Sequence, residues 1–367
     1  MLAAGHDVRV VYVEERFGVD FSQSDDAALC SAVRKVPFAG VISTLSRWLG
    51  GMSISQAWCG STEAKKVILE LSAGADVVWV EHLRGAGMLP STLCCPVIWD
   101  AVDALGPLFT GRAGLVQNPL KSWVFNCEAT RTGREEALLA ARFSATIAVT
   151  EREAALLGPN VTAIQNGVDC DYFQPSLNTE SDKKSLHICM VGRWNYLPNS
   201  HGCVQFLHDV WPEICLKFPE AVCTVVGPGC EAGSPIADAA GDGIRAGNVV
   251  LVGPVPDVRP YLHQSLLSVC PVMLAAGMQN KILESIACGV PVVCTEIAAA
   301  GTIPGGLPGV FPASKPSEMI DIITNLMADP QSAQRQGQRG RDVVASTMTW
   351  KPSYAKVAIR LEQVLHP

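Results

Sequence analysis

Three charged residues in the second half of the chain have types and spacing suited to a doubly charged ligand. Lys281 lies in GMQNKILESIACGVPVV (Gly277–Val293), which reads as a loop, a helix from about Gln279 to Cys288, a stop at Gly289 and a strand. The first turn of a helix presents unpaired backbone N–H groups and the positive end of its dipole, so an anion seated there would meet both these and the Lys281 ammonium. Met278, Gln279 and Asn280 lead into that turn and are counted with it. Glu284 follows three residues after Lys281, on nearly the same helix face. A carboxylate so placed cannot bind phosphate, but it can accept two hydrogen bonds from a ribose diol. Arg193, in MVGRW (Met190–Trp194), comes with Gly192 just past a predicted strand. Its guanidinium could fork onto a diphosphate through charge-assisted hydrogen bonds worth about 1.5–3 kcal/mol each. Taken singly, Arg193 is equally a surface residue, and Lys281 with Glu284 a salt-bridged surface pair. Together they describe a site for a nucleoside diphosphate.

Two other strings have chemical connotations that their context removes. Asp169-Cys170-Asp171 spells a carboxylate pair of the kind that holds Mg²⁺ against a diphosphate, but it opens a linker far in sequence from Lys281, and the cations there remove the need for a metal. Gly227-Pro228-Gly229-Cys230-Glu231-Ala232 matches a dinucleotide fingerprint. It follows the second strand of its domain instead of the first, and the next strand ends in Gly253 with no acidic residue for a ribose. No metal and no redox cofactor are expected.

The elements that must position these residues alternate regularly. Short apolar runs rich in Val and Ile (8–13, 77–80, 97–102, 145–149, then 186–191, 221–226, 249–252, 266–272 and 290–294) are separated by helical patterns. Continuous apolar strands between helices mark parallel sheets buried on both faces, so the fold class is α/β. Asn166–His187, with Gly167, Pro175 and the polar run SLNTESDKKS, reads as a linker and puts a boundary near residue 180. Two similar halves result, 1–180 and 181–348, and a cleft between them is the expected site.

The 367 residues suit two cores. The net charge of -7 excludes a general affinity for nucleic acid. The 14 cysteines form no C-x-x-C pair and lie mostly in apolar runs, as reduced core residues of a cytoplasmic protein. The longest uncharged apolar stretch, 266–278, is too short to cross a bilayer. Residues 35–49 (KVPFAGVISTLSRWL) are apolar with basic ends. Such a segment fits peripheral contact with an anionic membrane surface, at the inner face for a cytoplasmic protein, but a core-facing helix with snorkelling charges is the plainer expectation.

NGVDCDYFQP after a strand, VGRWNYLPNSHGCVQFLHDVWPEI, VVGPG and NKILESIACGVPVV resemble, in that order, the motifs of glycosyltransferase family 4, most closely its bacterial exopolysaccharide-type branch. The resemblance covers most of residues 145–350, with looser likeness in DVVWVEHL and WDAVDAL. It implies a GT-B fold of two Rossmann-like domains facing across a cleft, and metal-independent, retaining transfer of a sugar from a nucleoside diphosphate to a glycan or lipid-linked acceptor. Arg193 and Lys281 would hold the diphosphate, Glu284 the ribose, and backbone groups near Val255 the base. The family places a second Glu where this chain has Ala276, and often a Lys after the Gly-Arg pair, where WNYLPNSHG supplies none; Lys281 would carry that charge. In the first half, Glu81, His82 and Asp100 end predicted strands, where the family often sets a His or an acid near the transferred sugar and acceptor. Two rivals remain: a sugar-nucleotide epimerase of the same fold, and a silent nucleotide-binding paralogue.

Both termini carry expectations. Trp350–Leu365 reads as a helix, with Tyr354, Val357, Ala358, Leu361 and Leu365 on one face. By the resemblance, 349–367 would return toward the first domain. Met1–Gly5 reads as a helix end leading straight into a strand that the family places second. The first domain is thus expected to lack its initial strand and Gly-rich loop, leaving the Val8 and Val97 strands without a shared neighbour, as in a piece of a longer protein or a truncated form.

Overall fold

The computed structural model describes residues 5–13, 21–176, 186–274 and 277–366. Ala276, most of the first five residues and the middle of the linker lie outside them. The chain divides between Ile164 and Gln165 into two compact units, and residues 356–367 belong with the first.

The second unit holds one six-stranded parallel sheet: β7 (His187–Val191), β8 (Val222–Val226), β9 (Val249–Gly253), β10 (Leu267–Cys270), β11 (Val292–Thr295) and β12 (Val310–Ala313), in the order β12-β11-β10-β7-β8-β9. This is the doubly wound order, in which the chain reverses its winding between β7 and β10. The core strands are mostly apolar, as expected of a sheet covered by helices on both faces; β10 and β11 are buried along their whole length, Ser268 and Thr295 included. All 14 cysteines are free thiols, and Cys189, Cys223, Cys270 and Cys294 are buried within the sheet. Burial pushes the Cys189 thiol up to about 12, so it packs as a small hydrophobe.

The first unit holds two parallel sheets. One pairs β1 (Arg9–Val13) with β2 (Ala32–Val36); the other runs β3 (Val78–Glu81), β4 (Val97–Asp100), β5 (Ala145–Ala148) and β6 (Val161–Ala163) in chain order. Among the described residues no ladder joins β1 to β3. The strand of Val97 is paired on both sides, with β3 and β5. Among the described strands of that sheet, the edge positions therefore belong to β3 and β6, not to the Val97 strand. Three strands escape the apolar-run reading for physical reasons. The middle of β2 is Arg34-Lys35, β6 has only three residues, and the edge strand β12 contains Pro312, which only an edge tolerates.

The Trp350–Leu365 helix forms over the expected residues. Leu361 is buried with Ile98, Ala145, Ile147 and Ile164 of the first unit, and Val357, Val364 and Leu365 pack around them. Tyr354 and Ala358 depart from the expected face and are exposed. Docking begins only after Ala355, and the Tyr354 ring stacks on Trp350 at 5.7 Å.

The Val41–Leu49 helix overturns the plainer reading of residues 35–49. Its only buried residue is Thr44, and its apolar face looks outward. Among the described residues no helix is long and apolar enough to cross a membrane.

Candidate active site

At the switch point of the second unit, two loops leave adjacent parallel strands. β7 ends at Val191 and runs into Gly192-Arg193; β10 ends at Cys270 and leads to the helix Asn280–Ala287. The β7 loop is pinned beneath the exposed Arg193: Trp194 N donates to Pro228 O at 2.7 Å and its indole Nε1 to Val226 O at 2.9 Å. Gly227 makes this possible, since its φ of 122° is in the region that disfavours side chains and a Cβ would overlap Gly192 O. The glycines of VVGPG thus serve close backbone packing between two loops.

Lys281 sits in the first turn of its helix, as the spacing predicts. It does not pair with Glu284. Lys281 Nζ donates to Asn199 Oδ1 at 3.0 Å, and Asn199 Nδ2 donates to Arg193 O at 3.0 Å. One amide therefore joins the ammonium to the backbone of the Gly192-Arg193 loop. Asn199 lies in the first turn of the Leu197–Asp209 helix, within the segment that lacks a lysine of its own. Gly202 lets that helix approach β10, because a Cβ there would overlap Pro271 O.

The start of the Asn280–Ala287 helix is held by two further contacts. Gln279 N donates to Thr302 Oγ1 at 2.9 Å, and Asn166 Nδ2 to Asn280 Oδ1 at 3.4 Å. Met278 packs against the cluster that contains Ile282 and Leu283. Glu284 is half-buried; burial raises its carboxyl above the usual range, and the Lys281 charge opposes this. Val255, like Val191 and Val252, packs against the buried cluster of Cys189, Val226, Leu262, Cys288 and Val290.

The helix Leu197–Asp209 thus supplies a residue that sequence reasoning missed. The segment contributes no cation of its own but an amide that receives one. Asn166 and Thr302 were missed too, because neither shows any local pattern. Asp169 Oδ1 accepts the N–H groups of Asp171 and Tyr172, closing a turn in the linker.

In the first unit, Glu81 and Asp100 are cross-strand partners at the ends of β3 and β4. Burial lifts the Asp100 carboxyl to about 6, with the neighbouring Glu81 charge adding to the rise and the Val102 N–H opposing it. His82 follows Glu81 with a φ of 59°, a backbone conformation that is rare outside glycine. The residue is exposed, but partial desolvation of its ring keeps the imidazole below the ordinary value.

The fold is that of the GT-B glycosyltransferases, α/β with two Rossmann-like units. Residues 185–329, which lie within the second unit, match the family described as Glycosyl transferases group 1. Similar solved structures include HepE from Anabaena (15% identity, covering 92% of this chain and 87% of that one, TM-score 0.67). Sucrose-phosphate synthase from Thermosynechococcus elongatus is 16% identical, with 79% and 74% covered and a TM-score of 0.63. A glycosyltransferase from Rickettsia africae is 14% identical, with 93% and 92% covered and a TM-score of 0.61. No curated protein sequence matches the chain.

Proposed function

We propose that this chain transfers a hexose-like unit from a nucleoside diphosphate to an acceptor hydroxyl, without a metal ion and with retention of anomeric configuration. It would act in the cytoplasm, in the exopolysaccharide-type branch of family 4, on a glycan or lipid-linked acceptor. The carrying observation is Lys281, in a helix first turn at the switch point and tethered through Asn199 to the Arg193 loop. Lys281, Arg193 and the first N–H groups of the helix would then stabilise a departing diphosphate, the preorganised electrostatic role. Glu284 would accept the ribose hydroxyls, backbone near Val255 the base, and Glu81, His82 and Asp100 would serve the sugar and acceptor.

A thermal-shift panel of sugar nucleotides tests the donor site first, because binding at a hundredfold excess over Kd adds about 2.7 kcal/mol. HepE was solved with UDP and glucose and with UDP-glucose, which puts uridine diphosphate sugars first in the panel. Absence of any shift would sink the proposal. Product analysis then separates transfer from epimerisation, which changes the donor without an acceptor. A silent nucleotide-binding protein is the second reading, favoured by the division of the first unit into two sheets. Transfer at any measurable rate excludes it.

A further inference from the structure

We infer, on the footing of the proposed donor site, that Thr302 is a positioning residue for the donor diphosphate, acting through the backbone that leads into the Asn280–Ala287 helix. That helix starts without a cap of its own: Gln279 occupies the N-cap position, and its side chain makes no capping hydrogen bond. Such a start keeps its first N–H groups for a ligand, but their direction must then be set from elsewhere in the fold.

The Glu296–Thr302 helix, which follows β11, supplies that constraint at both ends of the loop leaving β10. At its start, Thr295 Oγ1 donates to Val272 O, just beyond β10, and accepts Ala298 N at 3.3 Å. At its end, Thr302 Oγ1 accepts Gln279 N and donates to Ala298 O, both at 2.9 Å. Next to Thr302, Gly301 lies so close to Gly277 that a Cβ would overlap Gly277 O. One short helix therefore grips the loop both where it leaves the sheet and where it enters the Asn280–Ala287 helix.

The Thr302 hydroxyl sits in apolar surroundings. The residue is fully buried, and Ala298, Ala299 and Ile303 beside it in sequence belong to the same cluster as Ile282 and Leu283. A valine would fill the same space, so packing alone does not call for a hydroxyl here, whereas the Gln279 N–H does. Asn199 and Thr302 have different tasks. Asn199 receives the Lys281 ammonium, while Thr302 holds the main chain two residues earlier. A shift of the Gln279 amide would turn the first N–H groups of the helix away from a phosphate even with Lys281 still tethered.

The test is isothermal titration of the full chain, as wild type, Thr302→Val and Thr302→Ser, with UDP, GDP, ADP and CDP and with the matching nucleoside monophosphates. Thr302→Val keeps the side-chain volume and leaves the Gln279 N–H without its acceptor. For the diphosphate that wild type binds best, it should raise Kd by roughly tenfold or more, and for the monophosphate by no more than about threefold. Thr302→Ser retains the hydroxyl and should restore the diphosphate affinity. A threonine that only supported the fold would weaken both ligands alike, so equal losses would overturn the inference. Wild-type diphosphate affinity in Thr302→Val would do the same, as would a Thr302→Ser protein no better than Thr302→Val. Gly301→Ala presses on the loop with the Thr302 hydroxyl intact and should impose the same selective loss; unchanged diphosphate affinity there decides against the inference if Thr302→Val does not fold. Failure of wild type to bind any of the four diphosphates would remove the donor site itself, and this role of Thr302 with it.

Discussion

Asn199 determines where the Lys281 ammonium points, since the same amide accepts from Nζ and donates to Arg193 O. Lys281→Ala is expected to lower turnover by roughly 10² to 10³, the scale of losing one preorganised donor to developing charge. Near wild-type steady-state kinetics would refute the phosphate role. Glu284→Ala should instead raise the Kd for the donor, because the ribose does not change during reaction; isothermal titration giving an unchanged affinity would refute that role. Asn199→Ala should lower kcat by about 10- to 100-fold through misplacement alone. Since it acts through Lys281, the double variant should be little worse than Lys281→Ala, and additive losses in the kinetic cycle would count against the tether. None of this tether is legible locally. Asn199 and Lys281 stand 82 residues apart, and an amide between two apolar stretches has no signature in a chain read one segment at a time.

At the scale of elements, the Leu105–Leu115 helix begins on carboxylates. Glu136 accepts the N–H groups of Leu105 and Gly106 at 2.7 and 3.2 Å, and Glu153 accepts that of Ala104 at 3.1 Å. Burial outweighs these bonds and lifts the Glu136 carboxyl from 4.5 to about 7. A folded value raised above the unfolded one means stability that is complete below about 4.5 and is lost as pH rises through about 7. Glu136→Gln does not titrate. Relative to wild type, its unfolding free energy in urea should therefore rise by up to about 3 kcal/mol between pH 4.5 and 8. A difference independent of pH would show that the carboxylate is not strained by burial. The sequence offered no hint of this: Glu136 is one of several charged residues in a long helix, and its burial depends on a helix that starts some thirty residues earlier.

At the scale of the whole molecule, the last helix belongs to two bodies, with residues up to Ala355 in the second unit and those from Lys356 in the first. Leu361→Ala should destabilise the first unit by about 2–5 kcal/mol, as for other buried leucines. Donor affinity, which the proposed function assigns to the second unit, should be unchanged; hydrogen exchange resolved by segment, with and without donor, would read both, and uniform protection in the variant would refute the assignment. The sequence by itself determined the strands of both units that are continuous apolar runs, and the placement of Lys281 and Glu284 one turn apart on a helix. These follow from contacts between near neighbours along the chain, where periodicity and turn chemistry decide. Only the tertiary structure decided the strand order that sets β7 beside β10, the amide that draws Lys281 to the Arg193 loop, and the outward face of the Val41–Leu49 helix. An amphipathic pattern states that a helix has two faces, but which of them meets the protein depends on polar partners such as Gly60 and Glu128, contributed by later segments that only folding brings alongside.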